Sequence, residues 1–318
     1  MDVREAARWL RERDNYLILT HKRPDGDTIG CGVGLCQLLR ELGKTAWLLD
    51  SLDAVSSLRG YLEGCVAPAD YVPETVVSVD VATAELLPDN AAPYRERVDL
   101  AIDHHGSHRP FAALCCLNAD RAACGEIIWE LCRELGVMTP AIAAPLYVAV
   151  ATDCGCFVYD NTTPHTHRVA AELMEQGIPH QTINRRHFRT RSMARLRLEG
   201  LVLSEVELLY DGALAVACVP LSMMERAGAG EDDAEDISAL PGQIEGTLGS
   251  VVIRELRSGQ CKVSVRTQAR WLDANGVCTR MGGGGHPAAS GCTIPGDMAR
   301  AKAEVLAAVA AQFAAAGR

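Results

Sequence analysis

Residues 16–43 read YLILTHKRPDGDTIGCGVGLCQLLRELG. Tyr16–Thr20 is an unbroken apolar run, suited to a strand buried on both faces. A charged loop follows at once: His21-Lys22-Arg23-Pro24-Asp25-Gly26-Asp27. Thr28–Leu42 then carries apolar residues at helical spacing and stops before Gly43, a natural C-cap. Strand, polar loop and helix in that order open a parallel α/β fold. In such folds ligands bind at the carboxyl ends of the strands. The stretch therefore predicts both the architecture and the place of its chemistry.

The same order recurs downstream. Thr45–Asp50 is strand-like, and Thr75–Asp80 (TVVSVD) and Val98–Asp103 (VDLAID) are short apolar runs that each end in Asp. Cys124–Gly136 and Pro140–Asp153 carry helical patterns. Strands alternating with helices predict an α/β domain, a parallel sheet with helices on both faces. The character changes over 183–200, INRRHFRTRSMARLRLEG, which is basic and helical. β-like segments follow at Leu201–Tyr210, Ala213–Pro220, Gly246–Leu256 and Gln260–Thr267. Ala227–Ala239 reads as an acidic loop, and Asp297–Ala315 as an Ala-rich helix. The expected organisation is a first domain over 1–188, a helical linker over 189–200 and a smaller α/β domain over 201–318, with a cleft between the two domains.

Composition narrows the function classes. A length of 318 residues suits two domains, and 48% hydrophobic residues with only 5% aromatic predict aliphatic cores. The net charge of -10 argues against a protein that grips long nucleic acid through a basic surface. It leaves room for a short anionic substrate, or for carboxylates that hold cations. The 13 cysteines include no C-x-x-C pair and lie mostly in apolar stretches. Free thiols of this kind fit a reducing compartment, here the cytoplasm. The opening MDVREAARWLRERDNYL is a charged amphipathic helix, and no apolar run reaches membrane-spanning length, so no membrane partner is expected. A monomer and a homodimer are both left open.

Four segments carry candidate metal ligands. His21, Asp25 and Asp27 share one loop, with Gly26 allowing a sharp turn; a turn with a chance histidine is the alternative. Asp80 ends a strand, where a helix-capping role is common. Asp103-His104-His105 follows another strand. One of these imidazoles can ligate metal while the other meets a phosphate oxygen, with Asp103 fixing a tautomer. Asp153 ends a nearly all-apolar helix, where an unpaired carboxylate would be costly. Carboxylates with imidazoles suit manganese or magnesium, and the spacing of the thiols does not suit zinc. So many ligands imply two divalent cations, Asp80 bridging them. In the second half, Met281–Gly291 reads MGGGGHPAASG. Exposed amides of Gly283, Gly284 and Gly285, with His286, could receive an anion. Arg266, on a strand-like stretch upstream, could clamp a phosphate.

His21-x-x-x-Asp25-x-Asp27, Asp80, Asp103-His104-His105 and Asp153, in that order, resemble the motifs of the DHH phosphoesterase superfamily. Lys262–Arg266 with GGGGHPAASG resembles its DHH-associated C-terminal domain. The layout, nearly the full length, is similar to the group of nanoRNases, oligoribonucleases that also act as pAp phosphatases. The resemblance implies that His21, Asp25 and Asp80 bind one cation. It implies that Asp27, Asp80, His104 and Asp153 bind a second, that His105 faces the scissile phosphate, and that Arg266, Gly284, Gly285 and His286 hold a phosphate of the nucleotide. The implied substrates are short oligoribonucleotides, 3′-phosphoadenosine 5′-phosphate (pAp) and linear dinucleotides such as pApA. A cyclic dinucleotide phosphodiesterase, a pyrophosphatase or exopolyphosphatase, and a non-catalytic nucleotide-binding module are the alternatives. Cys154 stands where relatives often have Thr, Ser290 where Ala is usual, and Cys31 where Ser is frequent. Cys154 and Cys156, beside the expected cations, could make the enzyme sensitive to oxidation. The arginines at 185, 186, 189, 191, 195 and 197 read as a solvated connector helix ahead of an anion funnel.

Overall fold

Strand β1 (Tyr16–Leu19) is buried at every residue and lies in the interior of a five-stranded sheet. It belongs to a computed structural model that describes residues 1–234, 237–268 and 270–315. The chain divides into two compact units, Met1–Thr190 and Arg191–Arg318.

In the first unit the order is α1 (Val3–Arg11), β1, α2 (Gly26–Glu41), β2 (Ala46–Leu48), α3 (Ser56–Arg59), β3 (Thr75–Val79), β4 (Leu100–Asp103), β5 (Leu114–Leu117), α4 (Cys124–Leu135), α5 (Pro140–Asp153), α6 (Pro164–Glu175) and α7 (His180–Asn184). The strands are all parallel, in the order β2-β1-β3-β4-β5. The two faces are covered unequally. Tyr16, Ile18, Val77, Val79 and Ile102 pack against residues of α1, α2, α4 and α5. Leu17, Leu19 and Val76 pack against Val81, Leu87, Ala91 and Val98, which belong to loops and 3-10 turns. Because β1, β3 and β4 bury both faces, their sequences are continuous apolar runs rather than alternating ones.

Helix packing sets the site's dimensions. A Cβ on Gly26, Gly30 or Gly34 of α2 would lie 2.2 Å from Thr152 Oγ1, 2.3 Å from the Pro145 carbonyl or 2.6 Å from Leu146 Cδ2. Glycine at every fourth position lets α2 lie against α5 at a distance no side chain would permit. The first turn of α2 and the last turn of α5 thereby meet, and these turns carry Asp27 and Asp153.

The second unit contains α8 (Met193–Ser204), β6 (Glu207–Leu209), β7 (Leu214–Val219), α9 (Leu221–Ala227), β8 (Gly249–Glu255), β9 (Gln260–Thr267), α10 (Ala274–Thr279), β10 (Gly284–His286), β11 (Ala289–Pro295) and α11 (Met298–Ala315). Its sheet runs β10-β11-β9-β8-β7-β6, antiparallel except between β7 and β8. The β-like reading of Leu201–Tyr210 is corrected. Leu201–Ser204 finishes α8, whose Leu198 and Val202 are buried in this unit's core, and only Glu207–Leu209 is a strand. A short apolar run fits either period, and burial of the i, i+4 pair decides for the helix. Within the acidic run Ala227–Ala239, Glu235 and Asp236 lie outside the described residues. Of the basic run, Arg186 lies over the Tyr61 ring at 5.4 Å and Arg195 pairs with Glu199 at 2.7 Å. No helix among the described residues is long and apolar enough to cross a membrane.

Candidate metal centre

The strand order reverses between β1 and β3, the switch point at which open parallel sheets bind ligands. The loop leaving β1 supplies His21 and Asp25, and the residue after β3 is Asp80. β4 ends in Asp103 and delivers His104 and His105. Asp80 adopts a left-handed backbone, φ 57°, while its N–H donates to the Ile102 carbonyl at 2.9 Å. That conformation is unfavourable by roughly 1–2 kcal/mol for a residue with a Cβ.

The two oxygens of Asp80 face different partners. Oδ2 lies 3.7 Å from Nε2 of His21, which is 3.5 Å from Oδ1 of Asp25. Oδ1 lies 3.5 Å from Nε2 of His104, which is 3.7 Å from both Asp27 Oδ2 and Asp153 Oδ2. His105 Nδ1 is also 3.6 Å from Oδ1. Asp80 is 2% exposed, and its Oδ1 is buried without a hydrogen-bond partner. Three overlapping groups thus have donor atoms within 4.8 Å of one another: His21, Asp25 and Asp80; Asp27, His104 and Asp153; Asp80, His104 and His105. A buried carboxylate oxygen left without a donor, amid three further carboxylates, fits divalent cations of hard character.

The surroundings aim these groups. Nδ1 of His21 meets the Lys22 carbonyl at 2.9 Å, and Nδ1 of His104 meets the Arg121 carbonyl at 3.1 Å. Each contact holds a proton on Nδ1 and turns Nε2 toward the carboxylates. Asp27 accepts from the N–H groups of Cys124 at 2.7 Å and Gly125 at 3.0 Å, at the start of α4. Asp25 caps α2, accepting from the N–H groups of Asp27 and Thr28. Asp103 is fully buried and takes Nδ1 of His105 at 2.7 Å on one oxygen and Nδ1 of His108 at 2.5 Å on the other.

Electrostatics show a site with surplus negative charge. Burial, then the charge of Asp27, pushes Asp80 well above the ordinary carboxylate range. Burial and Asp27 push Asp153 up to about 8. Asp27 is raised by burial despite His104. On His21 burial opposes the charge, but Asp25 and Asp80 prevail and raise it to about 11. Burial likewise opposes, and His105 and His108 overcome, the shift of Asp103, which ends lowered.

The structure brings His21, Asp25, Asp27, Asp80, His104, His105 and Asp153 together, with Asp103 behind His105. His108 escaped the sequence reading, although its place three residues after His105 was a usable signal. The amides of Cys124 and Gly125 had no sequence signal, being 97 and 98 residues from Asp27.

In the second unit, Arg266, Ala289 and His286 are register partners across β9, β11 and β10, so Arg266 and His286 share a face. The expectation that the glycines of this segment offer free amides is corrected at Gly283 and Gly285. Gly282 N–H donates to the Thr279 carbonyl, Gly283 N–H to the Cys278 carbonyl and Gly285 N–H to Asn275 Oδ1. The glycines serve close strand approach instead: a Cβ on Gly283 would lie 2.2 Å from the Gly291 carbonyl.

The turn after Asp153 is strained. Gly155, Cys156 and Phe157 are consecutive left-handed residues, with φ of 54°, 57° and 67°. Burial pushes the Cys154 thiol up to about 12, and the Cys156 thiol also upward. A protonated, buried Cys154 runs against the expectation of an oxidation-sensitive thiol there.

A model of the DHH family's N-terminal domain matches residues 15–150, and one of the DHHA1 domain matches 213–315. The chain is 36% identical over 304 residues to the bifunctional oligoribonuclease and PAP phosphatase NrnA of Thermus thermophilus, covering 94% of this chain and 90% of that one. It is 27% identical over 296 residues to the protein of the same name from Bacillus subtilis, covering 91% and 92%. Among solved structures, an exopolyphosphatase-related protein from Bacteroides fragilis matches with a TM-score of 0.88 at 23% identity, over 96% of this chain and 95% of that one, a likeness of fold. The chain belongs to the DHH family of phosphoesterases, and its cluster of carboxylates and imidazoles fits the divalent-metal dependence of that family.

Proposed function

We propose that this chain hydrolyses phosphate esters of short oligoribonucleotides and of pAp, releasing AMP from the latter. Two divalent cations would be held by His21, Asp25 and Asp80, and by Asp27, Asp80, His104 and Asp153. The observation that carries the reading is Asp80, whose two oxygens face two different groups of ligands. The two NrnA relatives named above, aligned over almost their whole length, support the substrate class. Manganese is our assignment and magnesium the alternative, because a set that mixes imidazoles with carboxylates suits the softer ion. When bound, such a pair of cations lowers the pKa of a water and offsets the charge that develops on the phosphate.

The protein's own groups complete the chemistry. Asp103 orients His105 through Nδ1, which leaves Nε2 as the nitrogen presented to substrate. Protonated, His105 donates to a phosphate oxygen, and Asp103 stabilises that imidazolium. Water attacks phosphorus, a new P–O bond forms and the ester P–O bond breaks; the proton that the water gives up is balanced by the one that the departing oxygen takes from solvent. Arg266 and His286 hold the substrate's terminal phosphate, and Gly283, Gly284 and Gly285 let the strand that carries His286 lie close against β11. The described cysteines are all free thiols, which supports a reducing, cytoplasmic setting.

The deciding experiment is a panel of pAp, pApA, a ribo-pentamer and cyclic di-AMP, each assayed with Mn or Mg. AMP release from pAp and pApA is expected. Turnover of cyclic di-AMP alone would replace this reading with the cyclic one.

A further inference from the structure

The chain leaves α5 directly after Asp153 and folds back on it. Cys156 N–H donates to the Ala151 carbonyl at 2.7 Å, and the N–H groups of Val158 and Tyr159 both donate to the Cys154 carbonyl, at 3.0 and 3.2 Å. Asn161 Nδ2 donates to the Asp153 carbonyl at 3.1 Å and the Ala122 carbonyl at 3.0 Å, closing the turn. Phe157 anchors it from within, stacked on the His167 ring at 5.2 Å. Val158 and Tyr159 face outward, 79% and 57% exposed. Two left-handed residues with side chains, Cys156 and Phe157, hold this geometry. Strain of that kind gathers at functional sites.

Tyr159 has a defined seat. A Cβ built on Gly155 would lie 2.4 Å from Tyr159 Cζ and 2.6 Å from each Cε. Equal distances to the two Cε atoms, with Cζ only slightly nearer, put that point over the ring face rather than at its edge. One face of the ring therefore rests on the bare backbone of Gly155, and more than half of the residue remains open to solvent. Gly155 is required there twice, by its left-handed φ and by the ring. An aromatic ring held flat has already lost the rotamer freedom that a stacking contact would otherwise cost.

We propose that the open face of Tyr159 stacks the base of the nucleotide whose phosphate reacts beside Asp153. The proposal rests on the function given above and identifies how that site recognises a nucleotide. Every base offers a π-face, so stacking tolerates base identity. It suits substrates defined by their shortness rather than by their sequence.

The test compares pAp with its base-free counterpart, 1-deoxyribose 3,5-bisphosphate, in the presence of Mn. Tyr159→Ala should raise KM for pAp about tenfold, within the range of base–aromatic stacking, with kcat within twofold. Tyr159→Phe and Tyr159→Trp keep a π-face and should stay within twofold of the wild type. KM for the base-free substrate should move less than twofold in every variant. Tyr159→Leu keeps bulk without a π-face and separates stacking from loosening of the turn. It should copy the alanine variant while its Mn affinity by calorimetry is unchanged. An unchanged KM for pAp in both Tyr159→Ala and Tyr159→Leu, or an equal rise on the base-free substrate, would overturn the stacking alone. No turnover of pAp by the wild type would overturn the functional reading and the stacking with it.

Discussion

The cluster around Asp80 and the glycine-rich segment around His286 look alike as sequence: each places polar residues beside a strand. They differ in what the fold does with them. In the first unit, Asp27, Asp80 and Asp103 are at most 2% exposed, and His21 and His104 each meet a carbonyl that aims Nε2 at the carboxylates. In the second, Gly284, Gly285 and His286 are all exposed, and the amides of three of the four glycines are bound within the unit. The first is a preorganised site whose charges need a ligand. The second is an exposed strand face, where our proposal leaves the binding to the side chains of Arg266 and His286. Asp80→Ala breaks the comparison at its strongest point, because it removes the carboxylate shared by both groups of ligands. We expect kcat to fall at least about a thousandfold while circular dichroism stays native. Retention of more than a few per cent of kcat would refute the bridging role.

The surplus charge of the first site predicts an unusual pH response. Asp27, Asp80 and Asp153 hold protons more tightly folded than unfolded, and so does His21. For Asp153 the folded state binds more protons from about pH 4 up to about 8, and for His21 from about 6.5 up to about 11. Stability of the cation-free protein must therefore fall as pH rises through these windows. Asp25 and Asp103 shift the other way, but their contribution is complete once pH passes the ordinary carboxylate range. In EDTA, Tm of the first unit should drop by roughly 5 °C between pH 5.5 and 8.5. With excess Mn the drop should vanish or reverse, since cations bind the deprotonated site. A Tm that falls equally with and without Mn would show that these carboxylates do not hold it.

The contrast also explains what the sequence disclosed. Asp25, Asp80, Asp103 and Asp153 were legible because each adjoins an apolar element, where a chance carboxylate is costly. The strands β1, β3 and β4 were legible because burial on both faces leaves an unbroken apolar run. The edge strand β5, LCCL, exposes Leu114 and Leu117, so neither burial on both faces nor a polar alternation marks it as a strand. The division of Asp80's oxygens and the clamp on Asp27 by Cys124 and Gly125 depend on packing across about a third of the chain. No local pattern reports them. GGGGH misled for the opposite reason: glycine is used both for anion contact and for close backbone approach, and composition does not separate the two.

That ambiguity yields the smaller effects. Arg266→Ala and His286→Ala should each raise KM for pAp roughly tenfold, the cost of one charge-assisted hydrogen bond, and change kcat by less than threefold. A collapse of kcat instead would place them in the chemistry and erase the contrast with the first site. The finest probe is Gly284→Ala. The nearest atom to a Cβ there is Asn275 Oδ1 at 3.8 Å, so the methyl has room. Gly284 is also not among the left-handed glycines, so alanine is not strained there. If phosphate is held by the side chains of Arg266 and His286, KM should change less than twofold and stability by under about 0.5 kcal/mol. If the backbone itself cradles phosphate at this point, the same methyl stands between the anion and the strand, and KM must rise about as much as it does on losing His286.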